Sequence, residues 1–167
     1  KDGLNVYTTL DSRMQKYAEE AMMEQLKYLQ GMHFKEWRGK DPWKFGERAK
    51  PDLLDKMMRE TSRYDELRAE GKSEAEIKTI FETKQPMTVF SYFGEKGQYE
   101  IDTNLSLLDS MRYYLQVVQG GFLAADVHTG EIKAWVGGPD IKYFQLDHAK
   151  KSTKRQVGST MKPLQYA

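Results

Sequence analysis

Gly121-Phe-Leu-Ala-Ala-Asp-Val-His-Thr-Gly-Glu-Ile-Lys-Ala-Trp-Val-Gly-Gly138 carries two short runs of strand-forming residues on either side of a turn. Ile132, Ala134 and Val136 fall on alternate positions, so one face of the second run is apolar. His128-Thr129-Gly130 separates the runs, and Gly130 supplies the positive φ that such a turn asks for. The spacing predicts an antiparallel hairpin over 121–137, with strands at 122–127 and 132–136.

Downstream stands Arg155-Gln-Val-Gly-Ser-Thr-Met-Lys-Pro163. Its Ser159 and Lys162 form S-x-x-K, in which a lysine one turn along a helix reaches the serine hydroxyl and activates it. Ser159 at a helix start also has free backbone N–H groups that favour a developing oxyanion. A helix is expected from 159 onward, with Ser159 in its first turn. Taken alone, S-x-x-K fits an ordinary helix start better than a catalytic pair.

Working towards the amino terminus, Ser106-x-x-Asp109 is a capping signal for a helix burying Leu108, Met111, Tyr114, Leu115 and Val118, released at Gly120-Gly121. Residues 87–93 and 99–103 alternate like strands around Gly94-Glu-Lys-Gly97. Before them lies a two-helix unit at 52–83. Leu53, Leu54, Met57, Thr61, Tyr64 and Leu67 mark the first helix, which Gly71 ends. A capping box, Ser73-x-x-Glu76, opens the second, buried through Ile77, Ile80 and Phe81, and Pro86 closes it. Residues 31–51, with Pro42 and Pro51, read as an irregular connection. Asp11 is an N-cap for a helix whose inner stripe is Met14, Tyr17, Ala18, Ala21, Met22, Gln25 and Leu29. Leu4, Val6, Thr8 and Leu10 alternate as a half-buried strand ahead of it.

Composition excludes several function classes. A net charge of +1 gives no case for nucleic acid. The chain has no cysteine, hence neither a disulfide scaffold nor a thiol nucleophile. His33, His128 and His148 lack metal-ligand spacing, so neither metal nor cofactor is expected. No run approaches the about 18 apolar residues that cross a bilayer, and no signal peptide is visible. The first residue is Lys1, and the chain stops at Ala167, soon after Ser159. Both ends look cut, as in an internal fragment. Phe34, Trp37, Trp43 and Phe45 fit a loop anchored into the body better than a partner patch. Lys150, Lys151 and Lys154 fit a solvated loop better than a collector of anionic polymer.

The 121–138 segment and the R-Q-x-G-S-x-x-K-P wording together resemble the class A (bifunctional) penicillin-binding proteins. The opening Leu4-Asn-Val-Tyr-Thr-Thr-Leu-Asp11, with Gln15 and Ala18 beyond, is similar to that family's strand-to-helix approach to its transpeptidase domain. Tyr143-Phe144 and Asp147-His148 resemble versions from Bacteroidetes-like bacteria. His128-Thr129-Gly130 resembles the K-T-G box of the same enzymes, but it precedes S-x-x-K and sits at a turn, so turn chemistry is the better reading.

The resemblance implies an α+β architecture: the amino-terminal portion of a penicillin-binding transpeptidase (serine β-lactamase-like) fold, with antiparallel strands and a helical insertion. Residues 1–51 would lead into the domain by a strand, a helix and a connection. Residues 52–86 would be a two-helix insertion, and 87–167 the start of the transpeptidase domain. Ser159 would be the catalytic nucleophile and Lys162 its base, with Arg155 fixing the loop before them.

The substrates implied are peptidoglycan stem peptides ending in D-Ala-D-Ala, with β-lactams as mimics. The parent would be periplasmic, anchored in the inner membrane, and would carry a glycosyltransferase domain before residue 1. Open strand edges would favour self-association. Two boxes that such enzymes need, S-x-N and K-[ST]-G, are absent: the only asparagines are Asn5 and Asn104, and neither follows a serine by two positions. The piece alone is therefore expected to be inactive. A non-catalytic docking module of a cell-wall protein, or a fragment of a serine D,D-carboxypeptidase or β-lactamase, are the alternatives.

Overall fold

The computed structural model describes residues 3, 5–95, 98–154 and 156–166. The readings placed on Leu4, Gly97 and Arg155 lie outside these residues. The chain divides into two compact units, one made of 1–24 with 119–167 and the other of Gln25–Val118. Each unit mixes helices with one two-stranded antiparallel sheet, in keeping with an α+β chain.

Helix α1, Ser12–Glu36, begins where Asp11 predicts it should. The Asp11 carboxylate accepts from the backbone N–H groups of Arg13 and Met14 at 2.9 and 3.1 Å, satisfying two amides that have no partner inside the helix. Those bonds, Met14's first, hold its carboxyl below the usual value of 3.8. The helix runs through Gly31 and takes in residues expected to be irregular. Its buried face is also rotated from the expected one. Ala18, Met23, Leu26 and Gln30 are buried, whereas Met14, Tyr17 and Leu29 are exposed.

In the first unit, β3 (Phe122–Ala125) pairs antiparallel with β4 (Ile132–Val136), with a bulge between Ala124 and Ala125. The predicted hairpin is present. Ala134 and Val136 pack with Ala18, joined by Met22 and Ala124. Residues 5–10 form no strand, contrary to the expectation. Val6 and Tyr7 are 80% and 91% exposed, so no buried layer rewards an extended ladder there. The stretch instead covers the outer edge of β4 with separate bonds: Thr9 Oγ1 donates to the Ile132 carbonyl and the Asp11 N–H to that of Lys133. Gln15 completes the row. Its side-chain amide donates to the Trp135 carbonyl at 2.9 Å and accepts the Trp135 N–H at 2.8 Å, as a neighbouring strand would.

In the second unit, the expected two helices are three: α2 (Leu53–Arg59), α3 (Ser62–Ala69) and α4 (Glu74–Glu82). Thr61, read as part of an inner stripe, breaks the first. Its hydroxyl donates to the Met58 carbonyl and accepts from the Tyr64 N–H, closing α2 and capping α3 in one residue. The Ser73–Glu76 capping box on α4 is complete.

Met58, Leu67, Ile77 and Phe81 are buried together, with Ile80 only partly so. Leu107, Leu108 and Met111 of α5 (Leu107–Leu115) pack on the same cluster, so the helices of 52–86 share a core with a later part of the chain. β1 (Gln85–Phe90) pairs antiparallel with β2 (Glu100–Leu105) as expected, with Pro86 inside β1. Gln30 is this unit's counterpart to Gln15: it donates to the Gln116 carbonyl and accepts the Val118 N–H, holding the irregular chain after α5.

Candidate active site

Gly158 turns the chain at φ +52°, and Gly158–Met161 form one 3-10 turn that runs into α6, Lys162–Tyr166. Ser159 thus lies in the first turn, as expected, though of a 3-10 rather than an α-helix. The Thr160 N–H and hydroxyl both engage the Val157 carbonyl, and the Lys162 N–H donates to the Ser159 carbonyl. At three residues per turn, side chains at i and i+3 eclipse, which sets Ser159 and Lys162 on the same face. The arrangement offers a nucleophile, an amine and a helix start. Residues 156–166 are all exposed, and Leu164 and Tyr166 stand 75% and 81% exposed. Ser159 and Lys162 are among these exposed residues.

The chain leading to Ser159 is organised around Asp147, which sequence reading did not single out for this role. One carboxylate oxygen accepts from the backbone N–H groups of Ala149 and Lys150; the other accepts the Trp135 indole N–H at 3.0 Å. The Asp147 carbonyl takes the Thr153 hydroxyl, and the His148 N–H reaches the Gly137 carbonyl. This close docking requires glycine in the hairpin. A Cβ on Gly137 would stand 2.7 Å from the Asp147 carboxylate, and one on Gly121 would stand 2.8 Å from the Ala149 nitrogen. The visible signals were the glycines flanking the hairpin. Their partners further along the chain were not visible.

His128-Thr129-Gly130 is a turn. Asp126 accepts from the Thr129 and His128 N–H groups at 2.9 Å each, which holds its carboxyl below the usual 3.8, and Gly130 sits at φ +75°. His148 faces Gln119 at 3.1 Å, and His33 stands by the Trp37 ring. Among the described residues no group of three or more His, Cys, Asp or Glu is placed to hold a metal. No helix of the described residues is long and apolar enough to cross a membrane.

Residues 38–118 match the family model of the penicillin-binding protein middle domain. The match ends at Val118, where the second unit also ends, and it takes in both the helices of 52–86 and the β1–β2 hairpin with α5. The chain is 27% identical over 179 aligned residues to penicillin-binding protein 1A of Aquifex aeolicus, covering 99% of this chain. It spans 22% of that relative's length. No solved structure matches the chain. Both matches support a relationship to the penicillin-binding proteins of cell-wall synthesis.

Proposed function

We propose that the chain is part of a class A penicillin-binding protein, of the Bacteroidetes-like kind, and that Ser159 is the acyl-accepting nucleophile of its D,D-transpeptidase. The observation that carries this reading is the shared face of Ser159 and Lys162 in the turn opening α6. Residues 119–167 begin the transpeptidase domain, and 1–24 lead into it. The parent works outside the cytoplasmic membrane, to which it is anchored, and also carries a glycosyltransferase.

In the reaction, the Ser159 oxygen attacks the carbonyl of the penultimate D-Ala of a stem peptide. Lys162 takes the serine proton and passes it to the leaving nitrogen as the bond to the terminal D-Ala breaks. An amine from a neighbouring stem peptide then attacks the ester, forming the crosslink and freeing the serine. A β-lactam undergoes the first half only, because its leaving nitrogen stays tethered.

Fluorescent penicillin combined with intact mass spectrometry tests this. The whole parent protein should gain one adduct on Ser159, and its Ser159→Ala variant none. The 167-residue chain alone should gain none within minutes. Loss of one oxyanion donor slows acylation by about 10²–10³, and Ser159 and Lys162 stand exposed to water in this chain. An adduct on the Ser159→Ala parent would sink the assignment.

A further inference from the structure

The second unit contains a cleft of about 650 Å³ between the end of α1, the 38–45 loop and α5. That volume falls in the range of sites that take a small ligand or a short peptide. Phe34, Trp37 and Phe45 supply its apolar lining. The rings meet in tilted contacts, Trp37 with Phe45 at 5.9 Å and 48° and Phe34 with Tyr113 at 6.0 Å and 41°. The Phe45 side of the lining remains more than half exposed.

Four cations and one anion line the same cleft, Arg38, Lys40, Lys44 and Arg112 against Asp41. Two of the cations are used internally. Asp41, whose side chain is only 13% exposed, takes the Arg112 Nε at 3.1 Å and the Lys44 Nζ at 2.8 Å. Arg112 also reaches Asp109 at 2.8 Å. These pairs fix the loop to α5. Arg38 and Lys40 have no ion-pair partner among the described residues, and the turn at Gly39 (φ +72°) sets them either side of one bend. Two unopposed positive charges beside an aromatic lining raise the local concentration of an anion.

We propose that this cleft binds an acidic peptide segment of a partner protein, with a carboxylate side chain on Arg38 and Lys40 and an adjoining apolar side chain on Trp37 and Phe45. Aromatic and arginine contacts of this kind dominate small recognition sites. A concave cleft lined by aromatic and cationic residues suits a side chain better than a flat bilayer surface. The cleft uses none of the residues proposed for the Ser159 chemistry, and penicillin labelling neither supports nor opposes it.

The probe is a blocked Glu-Leu-Glu-Phe peptide, its glutamine counterpart serving as control, titrated into the 167-residue chain by calorimetry and tryptophan fluorescence. Saturable binding that weakens with salt is expected from the acidic peptide and not from the glutamine peptide. Arg38→Glu with Lys40→Glu should weaken it by at least about tenfold. Neither side chain is tied into an ion pair, so this variant should keep the parent's melting curve; a Trp37→Leu variant checks the apolar half. Equal binding of the glutamine peptide, undiminished binding by the charge-reversed variant, or no binding at all would overturn the proposal. Binding to phosphatidylglycerol vesicles without binding to the peptide would instead make the cleft a membrane contact.

Discussion

Two glycines show how one methyl group acts with opposite sign in different surroundings. Gly31 lies inside α1, and a Cβ there would meet nothing nearer than the Phe93 ring at 3.9 Å, an ordinary contact. Gly31→Ala should therefore stabilise the protein by about 0.5–1 kcal/mol, because alanine loses less backbone entropy on entering a helix. Gly94 lies where the β1–β2 hairpin folds back, and a Cβ there would stand 2.6 Å from the Glu100 carbonyl oxygen and 2.7 Å from its nitrogen. Backbone cannot move aside as a flexible side chain can, so Gly94→Ala should cost roughly 1–3 kcal/mol. Urea melts of the two variants check both signs, and a shift in the same direction for both would contradict these surroundings. Read from sequence alone, Gly31 opened an irregular stretch and Gly94 marked a turn. Neither reading contained the distance to a neighbour, which decides the energy.

At the scale of elements, local signals were legible and tertiary ones were not. Asp11, Ser73 and Ser106 each cap the helix assigned to them, because a cap needs only bonds within four residues. The Asp126–Gly130 turn is local in the same way. The buried face of α1 was misread because the helix carries apolar residues on two faces. Met14, Tyr17, Tyr28 and Met32 are exposed apolar residues that mimic a core stripe. The expected strand does not form over residues 5–10 for want of a layer to pack on. Thr61 was taken for a filler of the core because a threonine that both ends and starts a helix looks the same in sequence. The helical turn at Ser159 was legible, since it too is local. Asp147, Gln15 and Gln30, which brace the surrounding backbone, were not, since their bonds to Trp135, Gln116 and Val118 join residues distant in sequence.

The merged core of α2 to α5 gives a test at this scale. Ile77 is fully buried and Phe81 nearly so, both against Met58 and Leu67. Phe81→Ala should cost about 3–5 kcal/mol through lost burial and the cavity left behind. Ile77→Asp should be worse, since a carboxylate would be buried without a partner. Circular dichroism melts should show the loss reaching α5, because Leu107, Leu108 and Met111 lean on the same cluster. If hydrogen exchange shows α5 fully protected in Ile77→Asp while α4 melts, the helices of 52–86 are a separate insertion after all.

For the whole molecule, the perturbed ionisable groups define a pH window. Asp11, Glu76 and Asp126 each have a carboxyl held below its ordinary value by hydrogen bonds from Met14, Ser73 and Thr129 respectively. A depressed folded pKa means that the unfolded chain binds protons more readily. Their contribution is therefore present above the unfolded values of 3.8 for the aspartates and 4.5 for Glu76, and is lost as pH falls through the lower folded values. Protonated carboxylates also leave 26 lysines and arginines and three histidines unopposed, so self-repulsion adds to the loss.

At the other end, burial raises Tyr92 and Tyr113 above the ordinary 10.0, and the Glu131 carboxylate raises Lys133 above 10.5. Groups raised in the folded state support it below those unfolded values and cease to as pH climbs through the folded ones. Stability should thus be level between about pH 5 and 9 and fall on both sides. Urea midpoints taken across roughly pH 2–11 check this shape. In Asp126→Asn the acid limb should be shallower, because one of its three carboxylates no longer titrates. In Tyr92→Phe the alkaline limb should be shallower, even though loss of the hydroxyl's bond to the Val118 carbonyl lowers the plateau. An acid limb unchanged by Asp126→Asn would mean that the hairpin turn plays no part in acid unfolding.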